Sequence, residues 1–165
     1  MKSWALWWLP LLLGSAVATA AESPTRQDEV RERGAGVMPF ALADTLHRFE
    51  KTDDGGVQRV EARPGHVEQV PAIREHLRAI AGQFAARDFS GPEHIHGADM
   101  PGLAELRTAP PEALRVAYRD LPGGGEVRYT ATTDALREAL HRWFDAQLAD
   151  HGHDATGHLH HHAHD

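Results

Sequence analysis

Apolar residues recur along this chain with two different periods, and the switches between them mark out its elements. Thr45 to Lys51 alternates with period two, Asp53-Asp54-Gly55-Gly56 supplies turn residues, and Val57 to Ala62 alternates back, which predicts a β-hairpin. His47 and Phe49 share one strand face; Phe49 takes the core side, so His47 is semi-buried beside it. From about Val67 to Arg87 the period changes. Val70, Ile73, Leu77, Ile80 and Phe84 stand three or four residues apart and form one helical stripe, with His76 on its border. Phe89-Ser90-Gly91-Pro92 ends that helix, and Gly97, Pro101 and Gly102 make Glu93 to Leu103 an irregular loop.

The pattern then repeats. Leu114, Val116 and Tyr118 alternate, Leu121 to Gly125 turns, and Val127, Tyr129 and Ala131 alternate back. Asp134 suits the N-cap of a second helix, whose inner face carries Leu136, Leu140, Trp143, Phe144, Gln147 and Leu148, and Gly152 suits its C-terminal cap. The sequence therefore predicts an α+β fold: two ββα units forming a four-stranded antiparallel sheet with two helices on one face. Arg115, Arg119, Glu126 and Arg128 point to the opposite face, which is solvated or meets a second copy in a homo-oligomer.

The ends fit no such pattern. Lys2, the apolar run Trp4 to Leu13 and Ala18-Thr19-Ala20 match the three regions of a signal peptide over residues 1–20, which implies a periplasmic or secreted protein. No later segment approaches the roughly 20 apolar residues of a membrane span, so no membrane association is expected after cleavage. Residues 21–36 are charged and aperiodic and read as a mobile leader. Residues 37–152 form the single domain, and 153–165 a disordered histidine-rich tail.

Composition narrows the chemistry. The chain has no cysteine, which removes disulfides, thiolate metal sites and cysteine nucleophiles. Its net charge of −7, without a basic stripe, argues against nucleic acid. Thirteen residues are histidine, and seven of them lie in the last fifteen positions: His151, His153, His158, His160, His161, His162 and His164. Neutral imidazole is the commonest ligand for borderline metals, so the tail is a candidate site for copper or zinc. The interruptions at Leu159 and Ala163, and the upstream His151-Gly152-His153, separate it from an expression tag.

A second candidate site gathers His47, His76, His94, His96, Asp99 and Met100, with His94-x-His96 placed in the irregular loop where donors converge. The same loop admits a structural reading, in which His96-Gly97 makes a turn and Met100 fills a core gap. His141 and Asp145 are spaced i, i+4 and read as an exposed helix pair. No nucleophile elbow, phosphate loop or His-Glu-x-x-His is present, and no catalytic residue is assigned.

The segments Phe49 to Val57, Ile73 to Leu77, Ile95 to Leu103 and His141 to Gly152 resemble a family of small exported bacterial proteins of unknown function, over about Val37 to Gly152. Members of that family are sometimes labelled aspartate carbamoyltransferase. A transcarbamoylase is about twice as long, with two α/β domains and a Ser-Thr-Arg-Thr phosphate loop. This chain contains no such tetrapeptide, and its residues do not support the label. The resemblance implies domain limits and compartment, and no mechanism.

Two main functions follow as expectations: an exported protein that binds or buffers a transition metal, with the tail as collector, or a small-molecule or protein-binding module with an incidental tail. A small hydrolase or transferase using His96 and Asp99 as acid and base is a third.

Overall fold

The second hairpin lies directly against the first, which fixes which side chains share a face. A computed structural model describes residues 25–152 and 155–159. It contains β1 (Thr45–Thr52), β2 (Gly55–Ala62), β3 (Leu114–Leu121), β4 (Gly124–Ala131) and β5 (Ala155–Leu159). The helices are α1 (Arg26–Ala35), α2 (Val70–Ala85), α3 (Ser90–His96), α4 (Leu103–Thr108) and α5 (Asp134–His151). The strand order is β3-β4-β2-β1-β5, antiparallel throughout except that β5 runs parallel to β1.

The α+β class stands, and the four-stranded antiparallel sheet is corrected to a five-stranded mixed one. The fifth strand comes from the segment expected to be a disordered tail. Without it, the outer edge of β1 would present a row of unpaired N–H and C=O groups. After Gly152 (φ 55°) closes α5, Ala155 pairs with His47 and Leu159 with Lys51.

Register puts Thr45, His47 and Phe49 beside Gln58 and Val60, and those beside Val127 and Tyr129, all on the helix-covered face. There α2 packs over β3 and β4, while α5 crosses β1, β2 and β5. Phe84, Tyr129, Trp143 and Phe144 form the aromatic centre of the core, and each is at most 2% exposed. The opposite face is held by charge. Glu126 accepts from both Arg59 (2.7 Å) and Arg119 (2.6 Å), and Arg59 also reaches Glu50.

Several local expectations shift. The N-cap of α5 is Thr133, whose Oγ1 accepts from the amide of Leu136, with Asp134 in the first turn. The irregular segment Glu93 to Leu103 contains all but three residues of α3 and the start of α4. Pro92 is tolerated because it lies in the first turn, where no intrahelical acceptor awaits its missing N–H. Gly102 (φ 80°) brings α4 against α5, where a Cβ would stand 2.0 Å from the carbonyl oxygen of Ala139.

The leader also differs from expectation, since α1 occupies most of it. Its capping box joins Thr25 and Asp28, and only Val30 and Gly34 are buried. Polar tethers hold it: Arg26 bridges to Asp150 and donates to the carbonyl of His96, and Arg33 donates to that of Ile95. A helix docked in this way needs no apolar stripe. Among the described residues, no helix is long and apolar enough to cross a membrane, and the segment read as a signal peptide lies outside them.

Candidate metal centre

Four histidines from four elements line one half-open cavity of about 60 Å³ beneath the sheet. His47 is placed by the period-two geometry of β1, His76 by the border of the α2 stripe, His96 by the end of α3 and His151 by the last turn of α5. The His47 and His151 rings stack with centroids 5.2 Å apart, and His96 meets His151 edge to face, also at 5.2 Å. His76 stands on the far side of Phe40, whose ring lies 5.5 Å from His76 and 6.0 Å from His47. On α5, Trp143, Gln147 and His151 follow at i, i+4 and i+8, one line along the cavity wall.

Burial keeps the imidazoles of His47, His76 and His96 neutral. Burial pushes the His47 pKa down to about 3, with smaller contributions from His151 and His76. Burial also lowers His76 and His96, and for His96 it outweighs the opposing pull of Asp150. The Asp150 carboxyl is partly buried, which works to raise its pKa, but its bonds to Arg26 and His96 prevail and lower it. An ionised carboxylate only accepts hydrogen bonds, so His96 Nδ1 carries the proton in its 2.8 Å contact with Asp150 Oδ2. The lone pair is thereby left on Nε2. Metal-binding histidines carry this same carboxylate support behind the ring.

Two buried polar atoms have no partner among the described residues: His47 Nε2 and Trp143 Nε1. Both residues line the cavity. An unmet buried polar group costs about 1–3 kcal/mol, so each counts against stability unless something in the cavity meets it.

Of the predicted second site, His47, His76 and His96 line the same pocket, with Phe40 between His76 and His47, while His94, Asp99 and Met100 do not line it. His94 and His96 lie two apart on α3, and such positions face away from each other, so His94 is exposed while His96 is buried. Met100 packs into the hydrophobic core and Asp99 is exposed. The carboxylate partner of His96 is Asp150, which displaces Asp99 from the acid–base pairing. The His141–Asp145 pairing also fails. His141 Nε2 sits 2.8 Å from the carbonyl oxygen of Gly55, and Asp145 binds Lys51 at 2.5 Å.

Sequence reasoning assigned His151 to the tail and passed over Asp150 and Arg26. Gln147 had been placed on the inner face of α5, and a step of four from it was the available signal for His151. His153, His160, His161, His162 and His164 lie outside the described residues, and His158 falls in β5 opposite Glu50. Among the described residues, Asp44, His66 and Glu68 on the surface are the group that brings three candidate ligand atoms within 4.8 Å of one another. In the cavity, two ring pairs, His47–His151 and His96–His151, stand 5.2 Å apart between centroids, near the roughly 5 Å of two imidazoles on one tetrahedral ion. No three of these rings, however, bring their ligand atoms within 4.8 Å of one another. The stacked orientation of His47 and His151 requires ring rotation before their nitrogens converge.

No protein-family model matches this chain, and no curated protein or solved structure matches it either. The resemblance described from the sequence therefore rests on its quoted segments alone.

Proposed function

We propose that this protein binds a transition-metal ion, copper(II) or zinc, in the histidine-lined cavity after export to the periplasm or beyond the cell. His47, His96 and His151 are the ligands, and Asp150 orients His96 with Arg26 behind it. The histidine-rich C-terminal segment collects metal loosely for that site. The observation that carries this reading is the grouping of three imidazoles, from a strand and two helices, around one half-open pocket. Neutral imidazole is the form that binds metal, and burial favours that form at His47 and His96.

Cavity size favours an ion over an organic ligand. Sites for drug-sized molecules occupy about 300–1,000 Å³. A space of about 60 Å³ holds roughly four or five waters, or a metal ion with a small co-ligand.

Isothermal calorimetry with copper(II) and zinc tests the assignment. Full-length protein is expected to show one tight site and several weak ones. A chain ending after Leu159 keeps β5 and the tight site and loses most of the weak ones. His96→Ala in the full chain keeps the weak sites and loses the tight one. A tight site that survives His96→Ala unchanged would remove the cavity from the mechanism.

A further inference from the structure

The cavity wall contains fifteen residues besides Trp143, His47 and Gln147, and none of the eighteen is Asp, Glu, Lys or Arg. The carboxylate behind the site, Asp150, already faces Arg26 at 2.7 Å, so that pair adds no net charge. A divalent ion on three neutral imidazoles therefore keeps both positive charges in a largely apolar enclosure. Burying an uncompensated charge is costly, and an anion bound to the metal lowers that cost. A metal with three protein ligands also has a coordination position left for it.

The two unpartnered atoms point the same way. Trp143 Nε1–H only donates, and it is buried in a residue 1% exposed. A bare cation cannot meet it. An anion held by the metal can, while the metal meets the lone pair of His47. Gln147, 5% exposed and one turn from each of Trp143 and His151, makes no side-chain hydrogen bond among the described residues and adds a second donor along the path.

We infer that the site takes its divalent metal together with a compact anion of about four heavy atoms or fewer, bound at the open coordination position and hydrogen-bonded by Trp143. This rests on the metal reading above. The space of about 60 Å³ sets the size limit and excludes anions as large as benzoate.

Azide is the probe. Full-length protein loaded with one equivalent of copper(II) is titrated with azide and followed by the azide-to-copper charge-transfer band and by electron paramagnetic resonance. A saturable adduct is expected, absent with benzoate, and weakened about tenfold by Trp143→Phe with copper stoichiometry unchanged. In ¹⁵N-labelled, zinc-loaded protein, one indole N–H resonance moves downfield on adding azide. That measurement serves if Trp143→Phe fails to fold. Tight copper binding without an azide adduct overturns this inference and leaves the metal site standing. So does an adduct indifferent to Trp143→Phe with no indole shift. Absence of any His96-dependent copper site overturns the metal reading and the inference with it.

Discussion

Two polar features of this molecule, one half-buried and one buried, solve opposite problems, and the contrast separates a group the fold satisfies from groups it does not. Arg87 closes the end of α2 in a left-handed conformation (φ 66°), which is strained for a side chain of its size. Its guanidinium donates to six carbonyl oxygens, those of Phe84, Ala85, Ala109, Pro110, Pro111 and Leu114. Every need of the group is met by the chain, and it ties the end of α2 to the α4–β3 connection. The histidine cavity, under the other end of the sheet, stays incomplete. His47 and Trp143 each bury an unpaired nitrogen that the described chain leaves unmet. A polar group that the fold satisfies is part of the scaffold; the two that it leaves short are the ones the proposed metal site would complete.

Four measurements break or sharpen that contrast. Arg87→Ala should destabilise the protein most, by about 4 kcal/mol in denaturant unfolding, since it removes three part-buried hydrogen bonds, to Phe84, Ala109 and Leu114, together with the tie between α2 and the α4–β3 connection. Metal stoichiometry in the folded fraction should not change, and a loss of metal there would show that the two regions are coupled.

Acid comes second. With the folded His47 pKa near 3 and the unfolded value near 6.5, the unfolded chain takes up a proton between those limits that the folded chain refuses. Stability is then full above about pH 6.5 and falls as the pH drops, by about 3 kcal/mol at pH 4 from this group. His76 and His96 push in the same direction. Metal-free protein whose unfolding free energy stays flat from pH 7 to pH 4 would contradict the burial of these rings.

Asp150→Asn should weaken the tight metal site about 10- to 100-fold in a chelator competition, the usual effect of removing a carboxylate behind a ligand histidine. An unchanged affinity would mean that His96 needs no orienting partner. The smallest effect has the most telling sign. His47→Leu fills similar space without a polar atom and should leave the metal-free protein as stable or up to about 1 kcal/mol more stable, while abolishing the tight site. A large destabilisation would place His47 with Arg87 among the scaffold groups.

The hairpins and the two long helices were legible because each buries one face, and burial writes its period into the residues. His47 was legible for the same reason: it shares strand parity with Phe49. The rest depended on partners distant in sequence. Ala155 to Leu159 carries little strand character, and its conformation is set by the open edge of β1, more than a hundred residues earlier. The helix α1 has no apolar stripe to read because Arg26 and Arg33 hold it through carbonyls of α3 and a carboxylate of α5. Pro and Gly made the segment around His94 and His96 look irregular, yet Pro92 sits where a helix accepts it. Once that segment is helical, the pair must split. The proposed ligand His151 looked like the first residue of a tail because composition continues past it, although the helix period does not.

The direction of β5 has a consequence for delivery. It starts beside His47 and runs parallel to β1, so chain leaving Leu159 departs beside Lys51. Four residues of strand carry that exit about 13 Å from His47. Any ligand carried beyond Leu159 therefore starts on the far side of that distance from His47. Hand-over of an ion would then be a matter of tether length: adding residues between Leu159 and His160 should slow loading of the interior site without altering how tightly either end holds its metal.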